Sequence, residues 1–280
     1  MRLQSAMEYL MTYGWAILII AVVLGVLYYL GIFNSANLAP RLQPGSCHVA
    51  RTAAGVQNFG VCAGLPEFVA KLNGVNSYVS VNTAASLNLK SAFTFGAWAL
   101  PVYKSSTNFE ISERSGFDAV GLIASYSSSY FNFGGSLYNN ANSYFFESAE
   151  RPYGQWYYVT YSYNSTSGGE LYVNGQSVYH QSTTGNNNLF TTLLIGESSL
   201  SPTFFNGSLS NVQIYNASLS AAEVKALYME GIGGAPIVPQ NIVGWWPLNG
   251  DANDYSGNNN NGQSNNVQYT NTWINSYSAP

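Results

Sequence analysis

Residues 4–33, QSAMEYLMTYGWAILIIAVVLGVLYYLGIF, constrain this chain more than any other stretch. No charged residue occurs between Glu8 and Arg41, and Trp15 to Phe33 is almost wholly apolar. At about 1.5 Å rise per residue that run matches the ~30 Å hydrocarbon core of a bilayer, which predicts one long N-terminal helix inserted in a membrane. Ser5-Ala6-Met7-Glu8 reads as a capping box: the Ser5 hydroxyl accepts from the Glu8 backbone N–H, and Glu8 reaches back to the Ser5 N–H. Glu8 also suits the positive end of the helix dipole. A cleavable secretory signal fits poorly, because Glu8 precedes the apolar run and no small-x-small site follows it directly. Ala21 and Gly25, four apart on one face, permit close approach of a second helix.

Gln4-Ser5-Ala6-Met7-Glu8-Tyr9-Leu10 and the following Met11-Thr12-Tyr13-Gly14-Trp15-Ala16-Ile17-Leu18 closely resemble the class III signal peptide of archaeal type IV pilin-like proteins. The resemblance implies that a prepilin peptidase cuts between Leu3 and Gln4, removes residues 1–3 as a leader and leaves the helix attached. Mature helices of that family pack in a filament core, where the Glu8 carboxylate would meet a neighbouring subunit's terminal amine. A carboxylate entering an apolar bundle needs such a cation. Leu3 stands where the family carries a small residue, usually Gly, and Arg2 is the leader's one positive charge. Two outcomes stay open: a cleaved pilin-like subunit and an uncleaved membrane anchor.

Beyond the helix the chain is nearly free of ions. Only 8% of residues are charged, against about 25% in an average globular protein. Solubility therefore rests on Asn, Ser, Thr and Gly. No basic patch exists to attract phosphates, which argues against nucleic-acid binding. Residues 34–66 read as a linker interrupted by Pro40, Pro44, Gly45, Gly55, Gly60, Gly64 and Pro66. It holds the only two cysteines, Cys47 and Cys62, which outside the cell would form one disulfide closing a loop of about 16 residues. A metal site using His48 and the distant His180 has no recognised zinc spacing.

From Glu67 onward the pattern is β. Strand candidates are Phe68–Leu72, Ser77–Val81, Ala92–Leu100, Phe117–Ser125, Ser143–Glu147, Gln155–Tyr163, Glu170–Val173, Ser177–Gln181, Thr191–Ile195 and Leu209–Tyr215. Asn73-Gly74 and Asn174-Gly175 supply the positive backbone angles of tight hairpins. One helix follows, opened by a second capping box at Ser220-Ala221-Ala222-Glu223, with Val224, Leu227 and Tyr228 on its apolar face and Gly231 ending it. Many short strands between turn residues imply an all-β antiparallel sandwich or barrel.

Leu72-Asn73-Gly74 through Val81, Phe93-Thr94-Phe95-Gly96-Ala97-Trp98, Gln155-Trp156-Tyr157-Tyr158-Val159, Leu171-Tyr172-Val173-Asn174-Gly175, Leu194-Ile195-Gly196 and Phe205-Asn206-Gly207-Ser208-Leu209 through Tyr228 look like the successive motifs of a laminin-G-like (concanavalin A-like lectin) jelly roll. The resemblance covers roughly residues 68–231 and implies a domain over 67–232. The family's usual opening strand is missing before Phe68 but resembles Val243-Gly244-Trp245-Trp246-Pro247-Leu248 and the following Asn249 to Gly262. Residues 240–280 are too few to bury a core alone, and leaving Trp245 and Trp246 exposed would invite aggregation. Three arrangements of the 233–280 segment follow: a circular permutation returning it to the same sandwich, donation of the strand to a neighbouring subunit, and a truncated second repeat.

The fold family includes glycosidases, so carboxylate pairs matter. Glu110 and Glu113 are three apart, as are Glu147 and Glu150, and neither spacing puts two carboxyls on one strand face. The E-x-D-x-x-E pattern of the family's glucanases is absent, and His180 lies far from any nucleophile motif. The expectation is a binding protein rather than an enzyme. Asp251, Asn253, Asp254 and Asn258 could offer oxygens to Ca²⁺, although Tyr255 breaks an EF-hand pattern and the same residue types are what an ordinary turn uses. Three sequons, at Asn164, Asn206 and Asn216, are candidate glycosylation acceptors of an external domain. The sequence thus predicts a surface-displayed pilin-like or filament-associated adhesin that binds glycan or a cell-surface protein. The alternative is an uncleaved membrane-anchored carbohydrate-binding protein that forms no filament, and a glycoside hydrolase is a distant third.

Overall fold

The computed structural model describes residues 15, 17–25, 65–82, 85–103, 109–115, 118–126, 129–139, 142–147, 150–187, 192–197 and 203–280. The chain divides into two compact units, Met1–Leu42 and Gln43–Pro280. In the first, residues 17–25 are helical, and Ile17 to Leu24 leave large apolar side chains exposed. Among the described residues no helix is long and apolar enough to cross a membrane. Leu3, Gln4, Glu8, Cys47 and Cys62 lie outside the described residues.

Among the described residues the second unit carries fifteen strands. These are β1 (Val69–Asn73), β2 (Tyr78–Asn82), β3 (Ala92–Pro101), β4 (Phe109–Ser115), β5 (Asp118–Tyr126), β6 (Phe131–Asn139), β7 (Asn142–Glu147) and β8 (Tyr157–Asn164). After them come β9 (Gly168–Val173), β10 (Gln176–Gln181), β11 (Thr192–Ile195), β12 (Asn206–Tyr215), β13 (Ile242–Trp246), β14 (Gly262–Asn265) and β15 (Gln268–Thr270). They form two antiparallel sheets. The first runs β10-β9-β8-β3-β12-β1-β15, with β13 also paired to β12; the second runs β14-β2-β11-β4-β5-β6-β7.

The central strands β3, β8 and β12 of the first sheet are buried on both faces over most of their length, which is why β3 reads as a nearly continuous apolar run rather than an alternation. Phe93, Phe95, Ala97 and Ala99 face the second sheet, together with Val79, Val81, Leu122, Phe131, Phe133, Leu193 and Ile195 from across the sandwich. Trp98, Leu100, Tyr158, Tyr172, Tyr215 and Trp245 belong to the opposite face. That face is covered by the helix α1 (Ala221–Met229) through Val224 and Leu227, by Ile232 and Val238 of the following segment, and by Trp273 of a C-terminal 3₁₀ turn. Burying each of these side chains stabilises the fold by about 1.5–3 kcal/mol. The α1 capping box forms as its sequence predicts: Glu223 N–H donates to Ser220 Oγ, and Ser220 N–H donates to Glu223 Oε2 at 2.7 Å. Gly231, at φ 78°, lets the chain leave the helix.

The flank of β12 is divided between two segments far apart in sequence. β1 pairs with Asn206 to Leu209, and β13 pairs with Val212 to Tyr215 on the far side of a register shift between Ser210 and Gln213. β14 and β15 continue the same C-terminal segment, pairing with β2 in one sheet and β1 in the other. Trp246 and Leu248 are fully buried in the core between the sheets.

Three readings from sequence need correction. β4 and β6 are strands that the pattern did not reveal, because FEISERS carries three charges and FNFGGSLYN a central Gly-Gly, both unfavourable to a strand read locally. Asn73-Gly74 does not close a hairpin. β1 and β2 belong to different sheets, and Asn73 Oδ1 accepts from Val75 and Asn76 N–H in a turn that carries the chain across the sandwich. The Asn174-Gly175 hairpin between β9 and β10 does form, with φ of 52° and 71°.

Candidate functional site

The loop from Asp251 to Asn261 gathers four residues with calcium-ligand chemistry, which hydrogen-bond within the loop and to β13. Asp254 is fully buried. Its Oδ1 accepts from the backbone N–H of Trp245 at 3.0 Å and Ser256 at 2.8 Å, and its Oδ2 from that of Asn260 at 2.8 Å. Asp251 accepts from Asn253 N–H, Asn253 Nδ2 and the Tyr255 hydroxyl. Asn258 Nδ2 donates to the Ile242 carbonyl at 3.2 Å. Among the described residues no group of three His, Cys, Asp or Glu is placed to hold a metal ion. The loop ties β13 to the turn that follows it, a task a buried carboxylate performs well by accepting several backbone donors at once.

The β9–β10 hairpin carries the one described ion pair, His180 Nδ1 to Glu170 Oε2 at 2.8 Å. Ser177 Oγ donates to the other oxygen of the same carboxylate. The carboxylate therefore stands between the hydroxyl and the imidazole, the reverse of a Ser–His–carboxylate relay in which the imidazole takes the serine's proton. Glu110 and Glu113 lie on β4 opposite Ile123 and Val120, and Glu147 ends β7.

With the centre of the first sheet covered on both sides, the outer face of the second is, beside the exposed edge strand β10, a sheet surface left to meet a ligand. Its centre is closed: Leu194 is 7% exposed, Ile123 4% and Ser136 fully buried. The β14–β2 side is more open, with Asn82 and Gln263 exposed. Val79 and Val81 point into the core, so Tyr78, Ser80 and Asn82 face outward. Register adds Gln263 beside Ser80, Asn265 beside Tyr78 and Thr192 beside Asn82. Asn265 Nδ2 donates to Ser80 Oγ at 3.3 Å across the strands. At one end Tyr78 meets Phe204, ring centroids 6.0 Å apart. The strip is thus a row of neutral donors and acceptors bounded by two aromatic rings. YVSVN shows the alternation behind it, but nothing local marks this face as the uncovered one.

The sequons differ in setting. Asn216 is exposed, its Oδ1 accepting from Asn241 Nδ2. Asn164 Oδ1 accepts from Thr166 N–H and Oγ1 within its own sequon. Asn206 Nδ2 donates to the carbonyls of Val102 and Tyr103 at 3.1 and 3.3 Å.

Two antiparallel sheets packed face to face, one of them backed by a helix and a C-terminal strap, define a jelly-roll sandwich of the lectin kind. A family model described as the concanavalin A-like lectin/glucanases superfamily matches residues 73–225, and the chain belongs to that superfamily. No curated protein sequence matches the chain. A Bacteroides ovatus protein to which carbohydrate binding is ascribed is similar with a TM-score of 0.56 at 19% identity, over 74% of this chain. The match takes in 60% of that protein's length. A pentraxin of Limulus polyphemus is similar at TM-score 0.44 and 17% identity, over 61% of this chain and 85% of its own. Domain 4 of an extracellular arabinanase of Geobacillus stearothermophilus, solved with arabinotriose, is similar at TM-score 0.44 and 16% identity, over 56% of this chain and 75% of its own. At these identities the likeness is one of fold.

Proposed function

We propose that this chain is a surface-displayed binding protein, not an enzyme, whose sandwich takes a glycan on the open strip of the second sheet. The observation that carries the reading is the strip itself: Tyr78, Ser80, Asn82, Thr192, Gln263 and Asn265 present neutral hydrogen-bonding groups without one ionised side chain. Sugar hydroxyls both donate and accept, and such groups match them in kind, while Tyr78 offers a ring for a pyranose face. A protein ligand at the cell surface is the second occupant of the same reading. The N-terminal stretch 4–33, with its resemblance to class III signal peptides, supports display outside the cell membrane on an anchor or a pilin-like filament. Leu3 in place of a small residue favours the uncleaved anchor, and Glu8 favours assembly.

The test is a glycan array probed with the full chain, followed by the variant carrying Tyr78→Ala and Gln263→Ala together. Binding to at least one glycan, lost in the variant while its melting temperature holds, is the expected result. Failure of the wild-type chain to retain any glycan overturns the reading. Mass spectrometry of the mature N-terminus separates Met1 from Gln4, and filaments that disappear with Glu8→Ala identify the polymeric form.

A further inference from the structure

Arg151 is a half-buried cation of the sandwich that makes no ion pair among the described residues. The chain holds nine Lys and Arg in 280 residues, so each half-buried one calls for an explanation. Arg151 is partly buried just before β8 and is fixed through its backbone, whose N–H and carbonyl both pair with Phe131, at 2.8 and 3.1 Å. Its Nε is shut off from solvent and meets no acceptor, and among the described residues no carboxylate comes within ion-pair distance of it. Glu150, its chain neighbour, is exposed and makes no such pair. An Nε–H held this way has given up its water without gaining an acceptor, which is unfavourable unless one arrives.

Tyr153, two residues on, leads to an exposed aromatic platform. Tyr103 is 48% exposed, its ring edge-on to Tyr153 at 5.6 Å. Tyr153 rests on the buried Phe131 at 5.4 Å, and its hydroxyl donates to the Tyr130 carbonyl at 2.6 Å. The ring at the surface is therefore braced down to the core, which spares a ligand the ordering of a loose side chain. Asn206 holds the Tyr103 backbone, and Phe204, the rim of the open strip, lies two residues before Asn206, about 7 Å along extended chain. The strip and the platform thus meet along one segment.

We infer that Arg151, Tyr103 and Tyr153 form a subsite for an acidic sugar residue, the ring seated on Tyr103 and its carboxylate or sulfate on the Arg151 guanidinium. This rests on the glycan reading above and names the class of glycan. Arg suits the task because its planar fork binds a carboxylate or sulfate through two parallel N–H···O bonds. The pairing also explains how a chain so poor in charge would select a charged ligand, since a half-buried guanidinium with an unmet Nε–H favours an anion.

The test uses the full chain and matched oligosaccharides: a uronate oligomer with its carboxyl-reduced form, and a sulfated oligomer with its desulfated form. Wild type is expected to bind at least one acidic member tenfold or more tightly than its neutral match, with affinity falling as salt rises. Arg151→Gln should abolish that preference and leave the neutral affinity in place, and Arg151→Lys should restore part of it. Tyr103→Ala should weaken both members of the pair. Which pair shows the preference identifies carboxylate or sulfate as the anion. Equal binding of acidic and neutral members, or a preference that survives Arg151→Gln, overturns the subsite and leaves the glycan reading standing. Binding of no oligosaccharide overturns both. Should Arg151→Gln fail to fold, the matched pairs and the salt series on wild type still decide the question.

Discussion

Replacing Trp246 by Ala tests whether the C-terminal segment is a working part of the sandwich. Trp246 is fully buried in the core between the sheets, and its Nε1 donates to the Asn260 carbonyl at 2.9 Å. The ring is closely fitted: a Cβ placed on Gly244 would come within 2.2 Å of it. Truncating a buried Trp to Ala costs about 3–5 kcal/mol, and stranding the Asn260 carbonyl adds about 1 kcal/mol more. For a domain of this size each kcal/mol moves the melting temperature by about 2–4 °C, so a fall of about 10–20 °C is expected. Near-UV circular dichroism of the full chain during heating reads it, with Met229→Ala, at an exposed position, as the control expected to stay within about 2 °C. Gly244→Ala should lie between the two, since overpacking of this kind costs about 1–3 kcal/mol. A Trp246→Ala variant melting within about 3 °C of wild type would mean that β13 is not part of the cooperative unit and that its pairing with β12 contributes little.

Asp254→Asn should destabilise the domain by about 2–4 kcal/mol in urea unfolding, because the amide turns an N–H toward at least one of the backbone donors that the carboxylate now accepts. Chelation should leave the melting temperature within about 1 °C, since those oxygens already face three backbone donors; a rise of several degrees in millimolar Ca²⁺ would place a cation there instead. Burial holds the phenols of Tyr158, Tyr161 and Tyr215 above their ordinary range. Their contribution is therefore intact below about pH 10 and lost above it, at up to about 1.4 kcal/mol per pH unit for each, so phenolate absorbance from them should emerge together with unfolding.

What the sequence revealed follows from how local each signal is. β2, β3, β8 and β12 announce themselves through branched and aromatic residues, and α1 through Ser220 and Glu223, because strand pattern and capping act over a few residues. Asn73-Gly74 correctly marks a turn, yet whether the chain returns to the same sheet or crosses to the other depends on partners far away, β12 and β15 for β1 but β11 and β14 for β2. The open strip was hidden for the same reason. Which sheet face stays uncovered is decided by where α1 and Trp273 dock, and no residue on the strip encodes that. Arg151 is harder still: nothing in RPYGQ distinguishes it, and only its half-burial with an unmet Nε–H does.

The division of β12 between β1 and β13 creates a seam, and the way it is sealed bears on how a chain with so little charge stays folded. At the register shift Asn211 adopts φ 52°, and its side chain is buried. Its Oδ1 accepts from Trp245 Nε1 at 2.8 Å and Gln213 Nε2 at 2.9 Å, while its Nδ2 donates to the Gly234 carbonyl at 2.8 Å. Tyr215 in turn donates to Gln213 Oε1. One amide thus joins β12, the C-terminal strand and the segment after α1, three parts of the chain that no continuous ladder could connect. An ion pair at the same place would face the desolvation penalty of two buried charges, whereas neutral amides need only their hydrogen bonds met. The same choice is made on the open strip, where amides and hydroxyls replace the usual ions. Against that neutral background a half-buried guanidinium with an unmet Nε–H is chemically conspicuous, which is why Arg151, rather than any acidic cluster, is the place to look for what distinguishes one ligand from another.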